Sequence, residues 1–243
     1  MTRKIGEAIP FYFILSLIII ASVMLLRSIF IPICPPLEEL ETTAYERRKI
    51  VLDPGHGGKD GGAVSVTGNH EKHLNLDISL SIREVLHILG YEVILTRESD
   101  CELTHVDGGT RKMQDLKGRL EIAQNNPDAV FVSIHMNKFP EGKYRGLQVY
   151  YSPNNTNSFT LAKSVQDTVT SSVQPDNDRK IKKADSTIFL LHKIKSPAIL
   201  IECGFLSNQA EAELLDNKDY RDVLSSAIST AIINSFERQV YEN

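Results

Sequence analysis

Cysteine is scarce in this sequence: Cys34, Cys101 and Cys203 are the three among 243 residues, too few for a disulfide framework. They read as isolated packing cysteines, with one bridge as the alternative. Positive charge is short as well. The formal net charge is −4, and no basic footprint of the kind that grips nucleic acid is present, so no nucleic-acid partner is expected. Repeats and low-complexity tracts are missing too, which excludes an appended repeat array.

What the chain does have is one long apolar run. From Ile9 to Leu26 no residue is charged, and the apolar character resumes after Arg27 as far as Ile33. This suits a single membrane-spanning helix, with Arg27 snorkelling to the interface. Arg3 and Lys4 precede the run, whereas Glu38, Glu39 and Glu41 follow it. The positive-inside bias therefore puts the N-terminus in the cytoplasm and the body of the protein outside. A cleaved leader is the alternative, but no small-x-small site follows the run, and Ile33 before Cys34 is too bulky for a lipoprotein signal. The sequence divides into a cytoplasmic tip and signal anchor over 1–33, a linker over 34–48, and one catalytic domain over 49–243.

In that domain the hydrophobic period alternates between short β-rich runs and longer amphipathic stretches, as in a layered α/β domain. "KIVLDP" (49–54) reads as a strand, "LNLDISLSIREVLHILG" (74–90) as a helix with a glycine stop, and "YEVILTR" (91–97) as the next strand, a βαβ unit. A helix over 111–126 precedes the buried strand "AVFVSIH" (129–135), and "GLQVYY" (146–151) reads as a strand at or near the sheet edge. A helix over 158–173, a short run at 187–191, the strand "PAILIE" (197–202) and helices over 208–215 and 219–238 complete the chain. The expected fold is a twisted, mostly parallel sheet flanked by helices, in a single domain behind the anchor.

Three polar residues fall at strand ends: His56 just past the first strand, His135 closing "VFVSIH" and Glu202 closing "AILIE". Ligands of open α/β sheets bind beyond the carboxyl ends of the strands, where parallel strands would bring these three together. A glutamate after four apolar residues needs a partner or a function. Between these strands stands "GNHEKHLNLD" (68–77). A zinc-protease helix needs HExxH, and His70 and His73 are one residue too close for it. Glu71 then has two readings: a first-turn acid favoured by the helix dipole, with Asn69 as cap, or a carboxylate completing a two-histidine, one-glutamate metal set with His56 and His135. Asp53 and Asp60 either orient His56 or serve the turn. Asn137 either binds substrate or caps the strand end, and Arg119 reads as a structural ion-pair partner.

Taken in order, "VLDPGHGGKDGGA", Glu71, "SIHMN" and "ILIECGFLSNQAE" resemble the successive motifs of the zinc-dependent N-acetylmuramoyl-L-alanine amidases, the type-3 amidase family of bacterial wall hydrolases, from about Lys49 to the C-terminus. The resemblance implies His56, Glu71 and His135 as ligands of a Zn2+ cofactor, with Glu202 as the catalytic carboxylate. It implies hydrolysis of the amide between the lactyl group of N-acetylmuramic acid and L-alanine, on peptidoglycan glycan strands carrying stem peptides. One anchor and one bare amidase domain are similar to the germination-specific spore-cortex subgroup, whose product leads to muramic-δ-lactam. His70 and His73 have no counterpart role. Met136 stands where the family usually shows a small residue, and is expected to narrow the cleft floor. The connection over 99–119 is longer than usual.

Two rival functions are a wall-binding homologue without catalysis and a zinc peptidase cutting the stem peptide. The first is disfavoured by the complete residue set, and the second is separated by its products. No built-in inhibitory helix fits between "GLQVYY" and "TIFLL". Restraint is therefore expected from expression, tethering or an extracytoplasmic accessory protein, at a membrane-anchored location on the forespore or cortex side of a bacterial membrane.

Overall fold

A computed structural model describes residues 21–22, 48–104 and 108–241, with side chains described through Phe236. The anchor run, apart from Ala21 and Ser22, and the linker up to residue 47 lie outside the described residues. None of the described helices is long and apolar enough to cross a membrane. Residues 47–243 form one compact unit.

Six strands make its sheet: β1 (Lys49–Pro54), β2 (Glu92–Leu95), β3 (Val130–Asn137), β4 (Gln148–Tyr151), β5 (Lys182–Lys183) and β6 (Ala198–Phe205). Their order is β2-β1-β3-β6-β4-β5. β1 runs parallel to β2 and β3, and β3 parallel to β6, whereas β4 pairs antiparallel with β6. The sheet is therefore mostly parallel, with its catalytic-residue candidates on the parallel side. β4 lies one strand in from the edge, which β5 covers over two lysines. No periodicity can announce so short a strand.

Helices close both faces: α1 (Glu71–Ile88), α2 (Arg111–Gln124), α3 (Asn157–Ser172), α4 (Phe189–Lys193), α5 (Gln209–Asp216) and α6 (Lys218–Tyr241). Side chains alternate across each strand. Ile50, Leu52, Val132, Ile134, Met136, Ile199 and Ile201 thus enter the larger core layer, meeting Leu74, Ile78, Ile82 and Leu86, which recur every fourth residue of α1. Val51, Phe131 and Ala198 face the smaller layer under α2 and α4, with Ala123, Leu190 and Leu191. Apolar cover on both faces is why the central strands read as near-continuous hydrophobic runs. Met136 is 4% exposed within the larger layer. It does not narrow the cleft floor, because it points to the face opposite His135.

Helix α1 starts earlier than its hydrophobic period suggests, and Asn69 does not cap it. The N-cap is His70, with no side-chain cap bond, while Asn69 donates to Asp216 Oδ1 at 2.7 Å. The expected glycine stop is present: Gly90 adopts φ 85° just past the helix, a conformation that costs glycine no Cβ clash. The run at 187–191 becomes the single-turn α4. Cys101 and Cys203 are free thiols, and Cys34 lies outside the described residues.

Beneath the ends of β1 and β3 sits a buried ion pair. Arg119 Nη1 donates to Asp53 Oδ1 at 2.6 Å, with both side chains almost wholly enclosed, and Arg119 Nε donates to Asp115 Oδ2 at 2.7 Å. Asp53 Oδ2 accepts from Ser133 Oγ at 2.7 Å, and its Oδ1 also accepts from Thr96 Oγ1 at 2.7 Å. Burial pushes the Asp53 carboxyl up, but Arg119 and the two hydroxyls outweigh it and hold the group below its usual range. Removing one partner of such a pair costs about 3–5 kcal/mol, because the other charge stays buried. Asp53→Ala should therefore lower the melting temperature by roughly 10 °C, measured by a thermal scan against the parent chain.

Candidate metal centre

Three elements deliver the site. β1 ends at Pro54, and the chain then turns sharply, with His56 itself at φ 61°, a left-handed conformation that non-glycine residues adopt mostly at constrained or functional positions. Gly55 is required here by space, since a Cβ on it would lie 2.2 Å from the His135 ring. β3 carries His135, next to a register shift between His135 and Asn137. Bulges of this kind re-aim side chains beside active sites. Glu71 arrives from the first turn of α1.

The three side chains converge. Glu71 Oε1 lies 3.0 Å from His135 Nδ1, and Glu71 Oε2 lies 3.3 Å from His56 Nε2. One candidate ligand atom from each residue falls within 4.8 Å of the other two. For ligands about 2.1 Å from a tetrahedral ion, neighbouring donor atoms sit about 3.4 Å apart, so the two Glu71–histidine separations already have the length of ligand–ligand edges. Two imidazoles and a carboxylate are also the donor set of hydrolytic zinc sites. On donor chemistry and spacing, the residues present fit a metal ion. Glu71 does not serve its own helix as a cap: its oxygens accept from Ala63 N at 2.9 Å and Met136 N at 3.1 Å. Burial pushes its carboxyl up, but the histidines outweigh that and hold it far below the usual range.

Around this trio a second layer fixes orientation. Asp60 Oδ2 lies 2.9 Å from His56 Nδ1, the bond by which a ligating imidazole is commonly steered. Asp53 takes no such part, being committed to Arg119. Burial lowers the His56 pKa, yet Glu71 and Asp60 together raise it above its ordinary value. Sequence reasoning missed the arginine clamp on the loop carbonyls. Arg119 donates to Pro54 O and His56 O, each at 2.7 Å, and Arg97 to Pro54 O at 2.9 Å and Gly55 O at 3.0 Å. The only signal for Arg97 was a charged residue just past a β-strand. The 99–104 segment also braces the loop, since Gly58 N donates to Asp100 Oδ1 and Lys59 N to Glu102 Oε1.

Glu202 stands directly opposite His135 in the β3–β6 register, outside the three-residue cluster. It lines a cleft of about 480 Å³ with His56, His135, Tyr150 and Leu200. Its Oε2 is buried without a hydrogen-bond partner. Burial pushes its carboxyl up to about 7. A folded pKa above the unfolded value of about 4.3 means that the folded state holds the extra proton between those two pH values. Stability from this group is fully present below pH 4.3 and is lost as pH rises through about 7. In the metal-stripped protein, Glu202→Gln should therefore be no more stable than the parent at pH 4 and more stable at pH 8, by an amount on the order of 3 kcal/mol. Denaturant melts at the two pH values measure the difference. His70 and His73 are exposed and contribute nothing to the cluster. Asn137 ends β3, where its carbonyl accepts from Leu206 N at 2.8 Å.

The family model for N-acetylmuramoyl-L-alanine amidase matches residues 50–234, which span every residue of the cluster and the cleft. The chain belongs to this family. The germination-specific N-acetylmuramoyl-L-alanine amidase of Bacillus subtilis is 37% identical over 193 residues, covering 77% of this chain and 79% of that one. Among solved structures, the CwlD amidase from Clostridioides difficile, in complex with the GerS lipoprotein, matches with TM-score 0.74 and 38% identity over 78% of this chain and 98% of that one. The AmiC2 amidase of Nostoc punctiforme matches with TM-score 0.68 and 30% identity over 79% and 98%. As a family member the chain is a hydrolase of amide bonds, and the six-stranded α/β architecture is that of the solved amidases.

Proposed function

We propose that His56, Glu71 and His135 hold one Zn2+, and that Glu202 is the general base and acid that cleaves the amide between the lactyl group of N-acetylmuramic acid and L-alanine. The observation that carries this reading is the contrast between the two glutamates of the site. Glu71 is saturated by two histidines and two backbone amides, whereas Glu202 faces the same cleft with an unpaired oxygen. Zinc bound there supplies Lewis acidity and makes water nucleophilic near neutral pH.

The chain's own residues do the rest. Asp60 and the arginine-held carbonyls fix His56. The Glu202 carboxylate accepts the proton released as water attacks the carbonyl carbon, then delivers it to the amide nitrogen as the C–N bond breaks. One water is consumed, and the products are a lactyl carboxylate on the glycan and a stem peptide with a free L-alanine amine. A carboxyl whose pKa lies near the working pH can serve in both directions. Leu200, Tyr150 and the α4 residues Phe189, Leu190 and Leu191 line the cleft with Glu202 and give it an apolar wall.

The Bacillus subtilis relative supports spore cortex as the setting, where loss of the stem peptide leads to muramic-δ-lactam. The lipoprotein bound to the Clostridioides difficile relative supports an extracytoplasmic accessory protein here. The apolar run over 9–33 supports a signal anchor that holds the catalytic domain at the outer face of a bacterial membrane. Between β4 and α4 the described chain forms α3 and β5, and α3 packs into the larger core layer through Leu161, Val165 and Val169. Among the described residues no helix between β4 and α4 is left to cover the cleft, and restraint is read as coming from restricted expression, tethering or a partner. Digestion of purified peptidoglycan followed by mass spectrometry tests the bond: the expected product is free stem peptide beginning with L-alanine. Alanine retained on the lactyl group, with cleavage further along the peptide, would identify a peptidase instead.

A further inference from the structure

Beyond the strand ends, outside the cleft, three loops gather an exposed apolar surface. Phe139 is 47% exposed and Tyr144 36%, with Val64 at 40% and Val66 at 51%. The Phe139 and Tyr144 rings lie 5.2 Å apart, and both lean on the buried Phe205 ring, at 6.1 and 6.2 Å. Arg179 lies over Phe205 at 4.8 Å, and Lys143 over Tyr144 at 5.3 Å. The loops are pinned together: Val66 N donates to Leu206 O at 2.9 Å, Phe139 N to Ser207 Oγ at 3.1 Å, and Asn208 Nδ2 to Gly142 O at 2.8 Å. Lys138 Nζ donates to Val64 O at 2.8 Å and closes the gap between two of them. The rings are thus held out to solvent by a rigid frame, which costs ordering entropy before any ligand arrives and not afterwards.

The surface is joined to the metal cluster by main chain. Ala63 N and Met136 N both donate to Glu71, Val64 follows directly, and Phe139 is three residues past Met136, no more than about 11 Å of extended chain. None of these apolar residues lines the cleft, so the site has two distinct margins. The substrate has two distinct branches, a glycan strand and a stem peptide, which diverge at the bond to be cut. The cleft is walled by Asp60, Lys112, Asp185 and Thr187 together with Tyr150, Phe189 and Leu190, a mixed lining suited to the charges, amides and side chains of a peptide. The apolar surface offers the Phe139 ring and the Tyr144 ring, with Lys143 over the latter and Lys138 close by. Sugar rings present C–H faces that stack on aromatic faces, and hydroxyl rims that lysines can donate to.

We propose that Phe139 and Tyr144, flanked by Val64 and Val66, form a glycan subsite that binds sugar rings of the strand beside the muramic acid being processed. The proposal rests on the amidase reading of the neighbouring site. It makes the amidase domain itself prefer strands over short fragments.

The test uses the full chain and two substrates, uncrosslinked glycan strands bearing stem peptides and the single-sugar fragment N-acetylmuramoyl-L-alanyl peptide. Phe139→Leu with Tyr144→Leu keeps apolar area but removes the ring faces, and Phe139→Ala with Tyr144→Ala removes both. In each double variant the ratio of KM for strands to KM for the fragment should rise about tenfold, with no change in the ratio of the two kcat values, the pattern of lost uniform binding. Independently of hydrolysis, peptide-free glycan should shift the Tyr144 ring resonances of the wild type. A KM ratio that stays at the wild-type value in both variants overturns the subsite, and so does recovery by the leucine pair, which marks a generic apolar contact for a protein. Absence of any shift with glycan also overturns it. A wild-type chain that binds glycan but frees no L-alanine-headed peptide from either substrate overturns the amidase reading and leaves the subsite standing.

Discussion

Glu202→Gln should lower kcat by about 10²–10⁴-fold, the range that a positioned general acid–base contributes, while leaving the fold and the metal site intact. The amide has the shape of the carboxylate it replaces but cannot accept a proton and hand it on. Because Glu202 lies outside the three-residue cluster, its loss removes no donor atom from the metal. KM should change little, since the interaction lost is made only as the proton moves. Steady-state kinetics on strands carrying stem peptides, with inductively coupled plasma analysis of the same preparation, separates this from metal loss. A variant with near-wild-type kcat would require a different proton carrier, and the other carboxylates that line the cleft are already engaged: Asp60 by His56, Asp115 and Asp53 by Arg119, and Asp185 by Thr187.

His135→Ala should abolish activity by a different route. One imidazole leaves the donor set, and Glu71 loses its 3.0 Å partner, keeping only His56 and two backbone amides. Occupancy should fall to background after dialysis, and added zinc should no longer raise the melting temperature. In the parent chain, zinc in hundredfold excess over its dissociation constant should stabilise the fold by about 2.7 kcal/mol. His56→Ala should behave alike. If either alanine variant kept one bound ion per chain and full turnover, the ligand set proposed here would be wrong.

Much of this was legible in the sequence, for reasons specific to each element. β1, β3 and β6 are buried on both faces, and such strands leave largely apolar runs against which His56, two residues past β1, and His135 and Glu202, in the second halves of β3 and β6, stand out. Parallel pairing then brings those ends together. Helix α1 was legible in its period but not at its start. Asn69, the residue with the best capping chemistry, is used instead to reach Asp216, 147 positions away in sequence, a contact no local signal could show. The face taken by Met136 follows from strand alternation, which puts it opposite to His135, so a cleft-floor role conflicts with the period itself. The clamp of Arg97 and Arg119 on the loop carbonyls joins residues from β2's exit and α2 to a turn more than forty positions earlier, and only the packed sheet reveals it. β5 is too short to have a period at all.

The assignment of separate roles to Glu71 and Glu202 is tested most directly by metal content. Glu71→Gln and Glu202→Gln, purified side by side and dialysed against metal-free buffer, are weighed by elemental analysis per mole of chain. The expected result is less than one tenth of the parent's zinc in Glu71→Gln and the parent's full zinc in inactive Glu202→Gln. Equal zinc in the two variants, whether both retain it or both lose it, would contradict the division of ligand and catalyst between them.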